Sequence, residues 1–165
     1  NGFIVGKSLL EKDTKEIIGN IYAEAEKYNC NIFIPEDCSV STDFDGSGKI
    51  KKPESIGKEE IILDIGPETI KRIESIIDKS RTVLWNGPAG YFENKNFLTG
   101  TLAIAKKISE STSKNSLISI LGGGDTISAI NKSKDNFAFT HLSTAGGAFL
   151  EFLEGKDLPG LNVLK

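Results

Sequence analysis

The stretch Leu121-Gly122-Gly123-Gly124-Asp125-Thr126-Ile127-Ser128 has the residue types to hold an anion. The apolar run from Ser116 to Leu121 reads as a buried strand that stops at the glycines, and Asp125-Thr126 can cap and open a helix carrying Ile127 and Ile130. Without Cβ atoms such a loop reaches positive φ and turns successive N–H groups, together with the helix N-terminus, toward a phosphate. The Thr126 hydroxyl adds a donor. A carboxylate beside a phosphate is repulsive unless a cation lies between them. Asp125 therefore reads as a direct or water-mediated Mg²⁺ ligand in a nucleotide site, with a plain helix cap as the other reading. Two familiar motifs are excluded. No Gly-x-x-x-x-Gly-Lys-Ser/Thr occurs, and Ile127 stands where a Gly-x-Gly-x-x-Gly fingerprint needs its last glycine.

Two further loops carry complementary chemistry. In Asn86-Gly87-Pro88-Ala89-Gly90-Tyr91-Phe92-Glu93, Glu93 can accept hydrogen bonds from ribose hydroxyls, and Pro88 with its neighbours offers a flat apolar wall to a base. A solvated loop carboxylate is the bland alternative for Glu93. Ser143-Thr144-Ala145-Gly146-Gly147 supplies a second set of N–H groups at a helix start, suited to a second phosphate or to charge developing on a phosphoryl group in transit; a tight glycine turn is its bland alternative. His141 reads as a structural residue at a strand end, since in-line transfer from an acyl phosphate needs no protein base.

These loops need a scaffold that brings them to one place. A capping-box pattern at Ser8 and Glu11, followed by Ile17, Ile18, Ile21, Ala25 and Tyr28 on one face, predicts a helix from Ser8 to about Asn29. Short strands are expected at 31–34 and near 39–42, with an exposed excursion through Asp45-Gly46-Ser47-Gly48. Ile61–Asp64 reads as a strand, Pro67 as the first residue of a helix bearing Ile70, Ile73, Ile76 and Ile77, and Arg81–Trp85 as a strand again. A helix from about Asn96 to Ser109 precedes the glycine loop, and a strand near 137–142 follows it. Strand and helix alternate about five times, predicting an α/β fold, a Rossmann-like parallel sheet covered by helices on both faces. In such sheets ligands bind beyond the carboxyl ends of the strands, so Asp64, Asn86–Glu93, Gly122–Thr126 and Ser143–Gly147 should converge.

Bulk properties narrow the partners. A net charge of −3 with scattered lysines gives no footprint for nucleic acid. Cys30 and Cys38 form no Cys-x-x-Cys, and one histidine cannot build a multi-ligand zinc site, so both thiols are expected in a reducing cytoplasm. No apolar run is long enough to cross a bilayer, and no membrane partner is expected. Methionine is absent and Asn1-Gly2 is not how a translated chain begins, so a piece of something longer is expected.

With these residues set out, the sequence resembles phosphoglycerate kinase along nearly its whole length. Trp85–Glu93 is similar to the family's WNGP-x-G-x-FE segment, and Gly122-Gly123-Gly124-Asp125-Thr126 to its GGGD(S/T) segment. His141–Ala148, with Leu150–Lys156 and Leu158-Pro159-Gly160, resembles the family's C-terminal signature, and Gly6-Lys7-Ser8-Leu9 and Leu63–Pro67 add weaker matches. The resemblance implies that residues 1–165 are most of the C-terminal, nucleotide-binding domain of a two-lobed monomeric kinase. It also implies reversible phosphoryl transfer between 1,3-bisphosphoglycerate and ADP, giving 3-phosphoglycerate and ATP, with Mg²⁺ in glycolysis. It assigns Leu9, Phe44 and Leu63 to the adenine surroundings and Asn86 and Pro88 to the side of the nucleotide. Glu93 falls to the ribose, Gly123, Gly124 and Thr126 to the phosphates, Asp125 to the metal–nucleotide complex, and Gly146-Gly147 to the transferring phosphoryl group.

The departures have consequences. Ala145 stands where the family usually has glycine, and Ala89 and Tyr91 reshape the wall of the base pocket. The resemblance implies that the lobe binding the glycerate substrate, and the first strands of this domain with their phosphate-binding lysines, are expected to be missing from these residues. The chain alone is therefore expected to turn over negligibly and to expose a sheet edge; a truncated, non-catalytic nucleotide-binding module is the alternative.

Overall fold

The computed structural model describes residues 2–143 and 145–164, so Thr144 of the second anion loop lies outside the described residues. In chain order the elements are α1 (Lys15–Lys27), β1 (Cys38–Ser41), β2 (Lys49–Lys51), β3 (Ile61–Ile65), α2 (Pro67–Lys79), β4 (Thr82–Asn86), α3 (Thr99–Ser113), β5 (Ile118–Gly122), α4 (Gly124–Asn131), β6 (His141–Leu142), α5 (Gly147–Leu153) and α6 (Pro159–Asn162). The fold is mixed α/β, as the alternation predicts, with a parallel sheet flanked by helices.

That sheet has the order β4-β5-β6, with Trp85 opposite Leu121 and Leu121 opposite Leu142. Helices α3 and α4 connect its strands, and the core forms where α2, α3 and α4 bury their apolar stripes against it. Ile77, Ile104, Ile108 and Leu117 make one cluster and Ala105, Leu121 and Ile130 a second, with Trp85 and Phe139 packed against both. Phe97, wholly buried, sits beneath Gly48 and ties the β1–β2 excursion to the loop before α3.

The first half of the chain departs from the expected single parallel sheet. Residues 61–65 do form a strand, but β3 pairs antiparallel with β1 in a separate sheet of order β2-β1-β3. A register shift at Ser39/Val40 bends β1. The excursion through Asp45–Gly48 is thus the connection of a β1–β2 hairpin. The stretch 31–34 is not a strand: Ile32 and Ile34 are exposed, and Phe33 lies under the Arg72 guanidinium, 4.4 Å from its ring centroid.

Helix α1 starts at Lys15 rather than Ser8. The Ser8 hydroxyl accepts a hydrogen bond from the Ile62 N–H (2.8 Å), so the hydroxyl of the expected capping box is engaged at the β3 strand, and Asp13 interrupts the helix with φ of 59°. The stripe Ile17, Ile18, Ile21 and Tyr28 is exposed.

The strand expected at 137–142 shrinks to His141–Leu142 for a definite reason. Ser119 and Thr140 exchange side-chain hydrogen bonds, Ser119 N–H to Thr140 Oγ1 at 3.1 Å and Thr140 N–H to Ser119 Oγ at 3.0 Å, and Ala138 N–H donates to Ser109 Oγ at 2.7 Å. Side chains therefore take the places that ladder bonds would occupy.

Helix α2 is held by a cap supplied from outside its own turn. Pro67 opens it, as expected, while the buried Asp37 carboxylate accepts from Glu68 N–H (3.0 Å), Thr69 N–H (2.8 Å) and Thr69 Oγ1–H (2.7 Å). The Thr69 hydroxyl oxygen accepts in return from the N–H groups of Glu36 and Asp37. Burial pushes the Asp37 carboxyl up, but the Thr69 and Glu68 donors and the Lys52 charge more than offset it and hold it below the usual carboxylate range. Among the described residues no helix is long and apolar enough to cross a membrane.

Candidate functional site

Parallel pairing of β4, β5 and β6 puts the loops that follow them on one edge of the sheet. Asn86 is opposite Gly122, and Ser143 N–H donates to the Leu121 carbonyl at 2.7 Å. The loop after β4 and the start of α4 are bonded directly, Gly87 N–H to Thr126 Oγ1 at 2.7 Å. This edge carries Asn86–Glu93, Gly122–Thr126 and the α5 start, three of the four segments expected to converge; the fourth, Asp64, belongs to β3 in the antiparallel sheet.

The three glycines at this edge differ physically. A Cβ on Gly122 would stand 2.4 Å from the Phe149 ring, so this glycine lets α5 pack on the strand end. Gly123 is the N-cap of α4 with φ of 92°, and a Cβ there would meet Asn86 Oδ1 at 2.3 Å. Only Gly124 faces open space, as do Gly146, the residue before α5, and Gly147, its first residue. The helix opens at Gly124 rather than at Asp125-Thr126; Asp125 is an exposed residue of its first turn. Thr126 is fully buried, and its hydroxyl oxygen is already occupied by Gly87 N–H, so it joins the two loops.

Beside this edge lies a cavity of about 510 Å³. Leu9, Phe44, Leu63 and Pro88 all line it, together with Gly90 and Tyr91. Four residues drawn from distant parts of the sequence thus border one largely apolar hollow, Leu9 as a fully exposed side chain. The Phe44 and Tyr91 rings lie 4.9 Å apart at 59°, and the Tyr91 N–H donates to the Leu63 carbonyl at 2.7 Å, fixing the loop to β3. Glu93 is exposed at the far end of the same loop, where Asn94 Nδ2 reaches the Phe44 carbonyl at 2.8 Å.

Asp64 anchors this region from below. Its buried carboxylate accepts from Ile65 N–H (2.8 Å) and Gly100 N–H (2.9 Å), and a Cβ on either Gly90 or Gly100 would strike it. Burial pushes the Asp64 carboxyl up to about 6, against the downward pull of the Gly100, Ile65 and Thr99 N–H groups. Sequence reasoning places Asp64 at the binding edge without giving it this holding role, because two of its three donors, the Thr99 and Gly100 N–H groups, lie far along the chain at the α3 start. Lys7 also lines the cavity, and the only signal for it in the sequence is the Gly6-Lys7-Ser8-Leu9 segment.

Residues 1–156 match the phosphoglycerate kinase family. The chain belongs to that family. It is 45% identical to the phosphoglycerate kinase of Wolbachia pipientis wMel across 98% of its length and 41% of that relative. To the phosphoglycerate kinase of Zymomonas mobilis it is 43% identical, over 99% of this chain and 42% of the relative. Among solved structures, phosphoglycerate kinase from Coxiella burnetii superposes with a TM-score of 0.88 at 36% identity, covering 99% of this chain and 42% of that one. The enzyme from Pyrococcus horikoshii OT3 gives 0.73 at 31% identity, covering 99% and 40%. This chain thus spans about two fifths of the length of the phosphoglycerate kinases it matches.

As a set of protein ligands, the site suits a phosphate-borne cation better than a protein cage. Among the described residues no group of three or more His, Cys, Asp and Glu side chains could hold a metal ion. Asp125 is a single exposed carboxylate in the first turn of α4, and one carboxylate holds Mg²⁺ only where other oxygens complete the shell.

Proposed function

We propose that the chain is most of the C-terminal, nucleotide-binding domain of a phosphoglycerate kinase and binds MgADP and MgATP at the β4–β5–β6 edge. The observation that carries the proposal is the shared cavity: Leu9, Phe44, Leu63 and Pro88 border one largely apolar hollow next to a glycine-rich helix start. In this reading the hollow takes the adenine, and Glu93 accepts from the ribose hydroxyls. Asn86 lies beside the nucleotide, Gly123, Gly124 and Thr126 shape the phosphate loop, and Asp125 takes Mg²⁺. When bound, the cation neutralises phosphate charge. Gly146 and Gly147 point N–H groups at the transferring phosphoryl group.

The whole enzyme would move that group reversibly between 1,3-bisphosphoglycerate and ADP in glycolysis, in the cytoplasm, as a monomer. The glycerate substrate would be held by the part of the enzyme outside this chain. Phosphoryl transfer requires both partners to be positioned, so the 165 residues alone would bind nucleotide while turning over negligibly. Thermal unfolding with added ligands tests the reading. ADP with Mg²⁺ at a hundredfold excess over its Kd would stabilise the chain by about 2.7 kcal/mol, and NAD would not. Stabilisation by NAD, or by neither, would defeat it.

A further inference from the structure

Lys132 follows the last residue of α4, the helix that starts at the glycine loop. A lysine there ordinarily turns to its own helix's carbonyls. Here the Ala129 and Ile130 carbonyls are taken by the backbone N–H groups of Lys132 and Ser133, at 3.2 and 3.0 Å. The ammonium instead reaches across to the loop after β4, donating to the Phe92 carbonyl at 3.0 Å and the Glu93 carbonyl at 3.3 Å, with the Phe92 ring centroid 5.1 Å away. Those carbonyls belong to the two peptide planes on either side of the Glu93 Cα. Fixing both restricts the φ and ψ of Glu93 and so the direction in which its carboxylate leaves the backbone.

The same helix grips the same loop at its other end, where Thr126 Oγ1 accepts from Gly87 N–H at 2.7 Å. Helix α4 therefore holds both ends of the segment 87–93. We propose that Lys132 is a positioning residue for ribose recognition: it sets Glu93 relative to the phosphate loop so that one rigid helix fixes the distance between the ribose and phosphate subsites. The inference rests on the nucleotide reading above. Lys132 and Glu93 are both exposed, so this hydrogen bonding adds little to global stability and its effect falls on recognition.

Titrations of ADP and 2′,3′-dideoxy-ADP, each with Mg²⁺, into the wild-type chain and the K132M, K132R and E93A variants test it. The wild type favours ADP. K132M weakens ADP by about threefold to tenfold, part of the worth of a charge-assisted hydrogen bond because Glu93 is misdirected rather than removed, and leaves 2′,3′-dideoxy-ADP unchanged, so the preference collapses. K132R, whose guanidinium can also donate to both carbonyls, restores it, and K132M added to E93A changes nothing further. The unfolding midpoint without nucleotide is the same in K132M and wild type. A K132M chain that keeps the wild-type preference, or weakens both nucleotides equally, overturns the positioning role, as does a wild type that binds both alike. A wild-type chain that binds neither fails differently, because it removes the nucleotide reading itself and this inference with it.

Discussion

Asp64 offers a prediction with a sign that can be worked from the structure. Its carboxyl is buried at the foot of the loop after β4 and pushed up from 3.8 to about 6. The folded state thus holds this proton more tightly than the unfolded chain does. Its contribution to stability is fully present below the unfolded value and is lost as pH rises through about 6. At 1.36 kcal/mol per pH unit the difference amounts to roughly 3 kcal/mol in full, of which a little over ~2 kcal/mol falls between pH 4 and pH 7. Asp37 contributes with the opposite sign at lower pH, so the wild-type curve alone does not isolate Asp64. Urea unfolding of wild type and D64N at a series of pH values does, through their difference. The wild type should lose about 2–2.5 kcal/mol relative to D64N on going from pH 4 to 7. A difference that is flat, or that grows in favour of the wild type as pH rises, would show that the Gly100, Ile65 and Thr99 N–H groups outweigh burial and that the reasoning is wrong.

Removing the external cap of α2 with D37A should cost roughly 2–4 kcal/mol, since it takes away a cap and strands buried donors; urea unfolding at pH 7 reads it, and the loss should shrink as pH falls below about 4. T126V keeps the shape of the buried side chain but leaves Gly87 N–H without its acceptor, so a loss of about 1–3 kcal/mol and weaker ADP binding are expected by unfolding and titration. G123A forces alanine to φ of 92° against Asn86 Oδ1, and should cost about 1–3 kcal/mol by the same unfolding assay.

Much of the proposed binding edge is legible in the sequence because its chemistry is local. Glycines beside Asp125 and Thr126, and the run from Trp85 to Glu93, carry their roles in residue type and spacing, and strand alternation is enough to bring them together. Contacts that depend on partners far along the chain are not legible. Asp37 and Thr69 lock α2 across 32 residues, and Ser8 reaches Ile62 across 54, which is why the expected helix start at Ser8 is wrong. Side-chain acceptors that displace ladder bonds, as Ser109, Ser119 and Thr140 do, shorten β6 in a way periodicity cannot reveal. The antiparallel β1–β3 pairing escapes for a related reason: Ile61–Ile65 is apolar enough for a parallel strand, and only its neighbours decide the direction.

The central claim is that Asp125 and its glycine loop form a magnesium–nucleotide site. Isothermal titration of MgADP into the wild-type chain, the D125A variant and a metal-free control tests it directly. Binding by the wild type that weakens when either Asp125 or Mg²⁺ is removed is the predicted result. Absence of binding by a demonstrably folded wild-type chain, or binding indifferent to both Asp125 and Mg²⁺, would contradict it.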